Sequence, residues 1–523
     1  MANVEKKSFS GGLLNRFLGA VERVGNKLPH PIVLFALFAL AIIVLSGICA
    51  AIGFSESGYL VDRATGGVKL QTIKVVSLFN LKGIAYMLTK MVSNFTGFAP
   101  LGTVLVAMLG VGVAESSGYI NSLLKRTVEI TPRKLITPIL VFLGVMSNIA
   151  ADAGYVVLIP IGGLMFMAYG RHPLAGLAAA FAGVSGGFSA NLLIGTLDPL
   201  LSGITNEAIK IVNPSYMVQP TCNWYFMVAS TFLITIVGTV ITEKLIEPRL
   251  GSYHKSEALS DIDVATPLDS KKIKALKWAN LTFVGMVVAM ILILIPENSF
   301  LRNPQTGSLI NKAPFMDGII PIIMFYFMMP AVVYGKVAGT FKSHRDVCAA
   351  MGKSMATMSS YIALVFVSAQ FIAYFKYTQI GTVLALKGAN FFASAGFHPI
   401  IIMVLFVIFS ACANLLMGSA SAKWTFLAPV FVPMFMLLGF SPELVQCAYR
   451  IGDSCTNLIT PLMSQFATIV IFTRRYDENA GIGTLTSMML PYSVSFLVVW
   501  TIMLIAWMFL DLPLGPGAYL MLK

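Results

Sequence analysis

Apolar stretches long enough to cross a lipid bilayer recur along this chain, and two of them are too long for one helix and are cut midway by polar residues. A spanning helix takes about 20 mostly apolar residues. Full crossings are read near 31–53, 96–114, 174–197, 223–245, 278–296, 317–334, 347–374, 443–472 and 488–511. The two over-long stretches lie at about 135–169 and about 399–438. The first is broken between Ser147-Asn148 and Asp152, the second at Gly418-Ser419-Ala420-Ser421. A hairpin that enters and leaves on one side of the membrane accounts for each, because irregular backbone at membrane depth is tolerated where protein encloses it or water reaches it. Composition agrees: 57% of the 523 residues are hydrophobic and only 11% are charged, less than half of the roughly 25% usual in soluble domains. Such a chain has too little polar surface for a water-soluble fold and too much apolar surface for disorder. The expected fold is an all-α polytopic membrane protein with nine transmembrane helices plus two re-entrant hairpins, and the lipid bilayer is its first partner.

The basic residues orient this map. With the N-terminus inside, the inner segments carry 22 Lys/Arg and the outer ones 10, the asymmetry expected of short cytoplasmic loops. The organisation that follows is a cytoplasmic N-terminus (1–30), a first transmembrane half (31–245) and a cytoplasmic basic loop (246–277). A second transmembrane half (278–511) and a periplasmic C-terminus (512–523) complete it. Residues 1–30 are polar and precede a full-length span, so no cleaved signal segment is expected. The net charge of +13 is spent on loops of one membrane face, and no nucleic-acid partner is expected. Six scattered cysteines without a CxxC pair, and five histidines without ligand spacing, offer no metal or disulfide framework.

The two interrupted stretches resemble one another. Aligning Pro160 with Pro429 sets Asp152 opposite Ser421, Tyr155 opposite Trp424 and Phe166 opposite Phe435, an offset of 269. The likeness runs on into the next span, where Gly183 to Asn191 pairs with Tyr449 to Asn457 at an offset of 266. The topology has the two stretches entering from opposite sides. Similar sequence in opposite orientation is the mark of secondary transporters built as an inverted repeat, whose sites lie where the broken segments meet.

Broken helices present free N–H groups at one stub and free carbonyls at the other, the first suited to carboxylates and the second, with Asn and Ser oxygens, to a small cation. The residues available for this are Ser147, Asn148, Asp152, Ser189, Asn191 and Asp198 in the first half. In the second they are Ser419, Ser421, Asp453, Ser454, Thr456 and Asn457. Arg450 and Asp453 stand three apart and share a helix face at a depth where ionisable groups cost at least about 2.5–3.5 kcal/mol each. They are either an ion pair locking the span, or an anion-binding guanidinium beside a proton or cation carrier. Trp424, beside Lys423 at the second tip, either packs or stacks on an aromatic substrate. No GxxxxGK[ST] loop and no nucleophile–base set is present. An ion gradient rather than ATP, and transport rather than enzymatic turnover, are therefore expected. A gated anion channel is the reading outside this class.

Several long segments carry a family resemblance: NFTGFAPLG (94–102), GRHPLAGLAAAFAGVSGGFSANLL (170–193), TLDPLLSGIT (196–205), GSASAKW (418–424), APVFVPMFMLLGF (428–440) and YRIGDS (449–454), with VGNKLPHP (24–31), MMLPYS (488–493) and LPLGPG (512–517) besides. On these the chain closely resembles the AbgT (p-aminobenzoyl-glutamate transporter) family across almost its whole length. The resemblance implies a homodimer of protomers, each with nine spans and two hairpins, in the bacterial inner membrane. It implies an ion-driven transporter of p-aminobenzoyl-glutamate or related aminobenzoates. The alternative it offers is an efflux pump that exports p-aminobenzoate and sulfonamide antimetabolites by proton antiport and confers sulfonamide resistance. Carried over by position, the family's functional residues fall on Asp198, Trp424, Pro442, Arg450, Asp453 and Pro461, with Asn148, Ser421 and Asn457 at the cation sites. The resulting expectation is that Arg450, Trp424, Asp198, Ser421, Pro442 and Pro461 bind a small aromatic carboxylate. Asp453, Asn148, Asp152, Asn191 and Asn457 couple the ion, with sodium at Asn148, Asn191, Ser421 and Asn457 if sodium rather than a proton drives transport. No other cofactor is expected.

Overall fold

The computed structural model describes residues 29–61, 68–150, 154–251, 253, 268–310, 312–463, 465–478 and 480–522. Asp152 and the first 28 residues lie outside these. In chain order the first half contains α1 (Pro31–Ala51), a hairpin of β1 (Ser55–Val61) and β2 (Val68–Lys74), α2 (Leu81–Thr96), α3 (Ala99–Ser117) and α4 (Tyr119–Glu129). It continues with α5 (Ile136–Ser147), α6 (Gly154–Ala168), α7 (Pro173–Gly186), α8 (Leu197–Ile209) and α9 (Trp224–Leu250). The second half has α10 (Ser270–Leu294), α11 (Ile319–Ala338), α12 (His344–Thr357), α13 (Ser359–Tyr377), α14 (Ile380–Ser394), α15 (Pro399–Leu416), α16 (Ala420–Leu437), α17 (Pro442–Thr456), α18 (Phe466–Arg474) and α19 (Ile482–Phe509).

Among the described residues nine helical segments are long and apolar enough to cross a membrane. The number matches the expectation; the membership differs. The span expected at 96–114 begins earlier, since α2 and α3 run on through Gly97 as one segment of 37 residues. The single spans expected at 174–197 and 443–472 are instead broken. Each starts at a Pro in the first helical turn (Pro173, Pro442), runs as a short helix, opens at an Asn-containing loop and resumes as α8 or α18. Proline at the first position costs nothing, because that N–H has no partner in a helix anyway. Both arms of the second interrupted stretch, α15 and α16, are themselves of spanning length. The first stretch is shorter: α4 and the Arg133–Ser147 segment meet at 118°, and α6 returns from the tip.

Lipid explains the outward surface. Only 11% of the most apolar window of α10 is buried, against 67% for α16. Leu281, Val284, Val288 and Ile291 on α10 face outward, where hydrocarbon replaces the water a soluble fold would meet. The β-hairpin was not expected from sequence. It is tied to α14 by a 2.8 Å ion pair between Lys387 and Glu56 and by Asn390 Nδ2 donating to Glu56 Oε1 at 3.1 Å.

The repeat is visible element by element: α5–α6, α7, α8 and α9 have counterparts in α15–α16, α17, α18 and α19. In each half the outgoing arm of the interrupted stretch crosses the short broken helix at close range. A Cβ on Gly183 of α7 would lie 2.2 Å from the Val141 carbonyl oxygen, and one on Gly452 of α17 would lie 2.5 Å from the Val407 carbonyl oxygen. Val141 and Val407 are themselves 266 residues apart. Small residues at such crossings let backbones approach where no hydrophobic effect drives helices together. Gly452→Ala is therefore expected to lower stability by about 1–3 kcal/mol, the usual cost of overpacking. A thermal unfolding series in detergent checks it, with Gly285→Ala, which meets nothing within 4 Å, as the control that leaves the midpoint in place.

Candidate functional site

The site lies where α16 and α17 of the second half pack against α8 and the loop after α7 of the first. Helix α17 carries most of it, and every residue from Pro442 to Thr456 is buried. Its start is fixed by Ser441, whose Oγ accepts the Leu444 N–H at 3.1 Å, with Pro442 in the first turn. An amphipathic polar face on a helix without exposure to water must be satisfied from within the protein, and its neighbours do so.

Arg450 and Asp453 do not pair with each other. Arg450 turns to the first half: Nη1 lies 2.7 Å from Asp198 Oδ1 and Nη2 donates to the Ser189 carbonyl at 2.9 Å. Asp198 is held in place by accepting the Gly195 N–H at 2.8 Å. Its pairing with Nη1 is close but poorly directed, and Arg450 Nε is buried without a hydrogen-bond partner. A guanidinium has five donors in a rigid fork, so this one retains capacity for an anion. Asp453 turns the other way, to Lys423, whose Nζ lies 2.6 Å from Oδ1 with both side chains inaccessible. The helix-face argument put both charges on one side of α17; it could not show that each has a different partner on a different element. The sequence assigns Lys423 no role, because it falls outside the positions that the family resemblance carries over.

Trp424 is fully buried. Its ring stacks on Tyr449 at 4.4 Å and 26°, and its Nε1 donates to Thr205 Oγ1 at 2.9 Å. Thr205 donates to Gln446 Oε1 at 2.6 Å, and Gln446 Nε2 donates to Asn223 Oδ1 at 3.0 Å. The chain of bonds thus crosses between the halves. The Trp424–Tyr449 pair was not anticipated, and Tyr449 covers one face of the indole.

The Asn residues divide in two kinds. Asn148 Nδ2 donates to the carbonyls of Val145 at 3.2 Å and Gly187 at 3.4 Å, while its Oδ1 is buried and unpartnered. Ser189 Oγ is also buried and unpartnered. Asn191 Oδ1 accepts the Leu193 N–H at 3.2 Å, shaping the loop after α7. Asn457 Oδ1 accepts from Asn414 Nδ2 at 2.8 Å. Ser421 sits in the first turn of α16, 3.3 Å from Ser419 Oγ. Pro461 follows the turn that interrupts α17 and α18.

Asn414 is the residue that the sequence reading missed. Its Nδ2 donates to the Asp453 carbonyl at 2.7 Å, as Asn148 does to the Gly187 carbonyl. Asn148 and Asn414 stand 266 residues apart, as do Gly187 and Asp453, and Asn191 and Asn457. Each caps the carbonyl end of its broken helix, where the last C=O groups have no helical partner. The signal was available: the offset of the Asn191–Asn457 match, carried back one helix, finds Asn414. Aligning the hairpins on their prolines at 269 hid it, because the second tip is three residues longer.

A cavity of about 510 Å³ opens beside this junction, lined by Leu416 to Ala422 at the second tip, by Asn457, Leu462, Met463 and Gln465 after α17, and by Tyr155, Phe188, Leu197 and Leu200 of the first half. Arg450 does not line it, but Phe188 and Leu197 are chain neighbours of its two partners, Ser189 and Asp198. Among the described residues no group of three or more His, Cys, Asp or Glu could hold a metal ion.

A buried array of charged and amide side chains at the junction of two sets of broken helices, inside a polytopic fold, defines a membrane transporter for small molecules. The chain belongs to the AbgT transporter family, whose pattern it matches over residues 16–522. It is 38% identical over 519 residues to the p-aminobenzoyl-glutamate transport protein of Escherichia coli (strain K12), covering 99% of each chain. Two solved structures share its fold. The YdaH transporter of Alcanivorax borkumensis is 44% identical with a TM-score of 0.86, over 93% of this chain and 100% of that one. MtrF of Neisseria gonorrhoeae, one of a class of antimetabolite efflux pumps, is 46% identical with a TM-score of 0.90, over 96% of this chain and 100% of that one.

Proposed function

We propose that the protein is an ion-gradient-driven secondary transporter of p-aminobenzoyl-glutamate or related aminobenzoate compounds across the bacterial inner membrane, working as a homodimer with its N-terminus in the cytoplasm. The observation that carries this is Arg450. A buried guanidinium with an unpartnered Nε and a poorly directed bond to Asp198 is suited to take a carboxylate. The neighbouring cavity of about 510 Å³ falls within the roughly 300–1,000 Å³ of small-molecule sites. Phe188 and Tyr155 on its wall are suited to an aromatic ring. The E. coli relative supports the substrate class.

A second reading is export of p-aminobenzoate and sulfonamide antimetabolites by proton antiport. The likeness to MtrF favours it, and so does Asp453, a carboxylate on α17 shut away from water beside the second tip.

Proteoliposomes given labelled p-aminobenzoyl-glutamate and p-aminobenzoate in turn, outside for uptake and inside for efflux, separate the readings, with sodium and proton gradients imposed one at a time in both directions. Saturable accumulation driven by an inward sodium gradient is the expected result for the importer, and efflux driven by an inward proton gradient is the result for the pump. Flux that neither saturates nor follows either gradient would make the protein a channel and overturn both.

A further inference from the structure

The two halves treat the same place differently. In the first half the Asn148 amide caps the broken helix while its Oδ1 is buried with no hydrogen-bond partner, as is Ser189 Oγ. In the second half Asn414 makes the equivalent cap, yet its Oδ1 is not idle: it accepts from the ammonium of Lys423, which also meets Asp453 Oδ1 at 2.6 Å. The stretch from Asn414 to Pro429 is three residues longer than that from Asn148 to Pro160, and Lys423 lies within it. An ammonium among amide and carboxylate oxygens makes the contacts a monovalent ion would make, except that it is covalently tethered.

We propose that Lys423 is the resident cation of the second half, a positioning residue whose ammonium fills the place that in the first half is left to a mobile ion. The inference deepens the transport reading above and rests on it for its purpose, since a tethered cation keeps the second tip closed until Asp453 takes up a proton, whereas the first half is left to a mobile ion. It also clamps the second tip to α17. Lys423 is buried in the first turn of α16, and its bond to Asp453 closes the tip over the end of the broken helix. Opening that tip must separate a buried ion pair, or discharge Asp453 first. The groups facing Asp453 are Lys423 from α16, Asn414 from α15 at its backbone carbonyl, and Tyr449 from its own helix, with Oη at 3.4 Å; Arg450 is turned away to Asp198.

Lys423→Ala vacates the place while leaving Asp453 and Asn414 to line it. Thermal unfolding of the purified full-length chain is followed as sodium chloride replaces choline chloride at fixed ionic strength, and again with methylammonium chloride. The expected result is a rise of several degrees in the midpoint of Lys423→Ala with sodium or methylammonium, beyond any sodium response of the wild type, and absent from Lys423→Ala/Asp453→Asn. A ligand that binds only the folded state raises stability in this concentration-dependent way. The same sodium response in wild type and Lys423→Ala overturns the proposal. Should Lys423→Ala be recovered only as aggregate, it is purified throughout in each of the three salts. Folded protein with sodium or methylammonium but not with choline is then the expected result, and aggregate in all three overturns the proposal. The readout contains no substrate, so an error in the substrate assignment would leave it unchanged.

Discussion

Arg450→Ala is expected to lower the affinity for p-aminobenzoyl-glutamate by about 100-fold or more, equivalent to roughly 2.7 kcal/mol, and to end gradient-driven transport. Losing one partner of a buried, hydrogen-bonded charge pair costs a binding site about 2–5 kcal/mol, and the fork of Arg450 is the one buried cation among the described residues with an unpartnered N–H. The same substitution strands Asp198, and removing one member of a buried pair destabilises a fold by about 3–5 kcal/mol. Loss of binding could then be loss of structure. Arg450→Ala/Asp198→Asn removes the stranded charge: its unfolding midpoint is expected to return toward the wild-type value while binding stays lost. Calorimetric titration of both variants checks this, and wild-type affinity in the folded double variant would refute the anion-site assignment. Arg450→Lys is the complementary case. It keeps the charge and the Asp198 contact, but a lysine cannot offer a bidentate fork, so a loss intermediate between wild type and alanine is expected.

Asp453→Asn is expected to uncouple transport from its ion: counterflow of labelled substrate continues, and accumulation against a gradient disappears. The substitution keeps the shape of the side chain and a hydrogen bond to Lys423, but it removes the carboxylate that Lys423 meets. The stranded ammonium makes the fold less stable by a similar 3–5 kcal/mol, which Lys423→Met/Asp453→Asn is expected to recover in part without recovering accumulation. Uphill accumulation by Asp453→Asn at the wild-type level would remove Asp453 from the coupling role. Because Arg450 and Asp453 bond to different elements, the two sets of variants are predicted to fail differently, one in binding and the other in coupling. A simple Arg450–Asp453 ion pair would instead have made them fail alike.

Much of this site is legible in the chain before it folds. The over-long apolar stretches with Asn, Ser and Gly at their centres show where the membrane helices break, because twenty residues suffice to span and a polar interruption at depth needs enclosure. The 266-residue match from Asn191 to Asn457 shows that the interruption is repeated. Arg450 and Asp453 stand out because a charge in such surroundings is costly. What could not be read is where these charges point. Spacing along α17 places two side chains on one face, but Asp198, Ser189, Lys423 and Asn414 come from other elements, tens to hundreds of residues away. The prolines of Asp198-Pro199 and Thr460-Pro461 mark a break or end of the two broken spans, but the apolar residues around them do not show how far each opening extends. The spans open because Asn148 and Asn414, each on a neighbouring helix, cap the carbonyls exposed there.

The sequence by itself therefore determined the solvent this protein lives in, the repeat, and which side chains are too expensive to be idle. Hydropathy, charge asymmetry and periodicity are properties of the chain, and they survive any packing. Only the tertiary structure decided the partnerships: Arg450 with Asp198, Lys423 with Asp453, Trp424 on Tyr449, Asn414 as the counterpart of Asn148. In a medium without water a buried polar group must find its partner within the protein, and which partner it finds depends on how the two halves of the repeat close on one another.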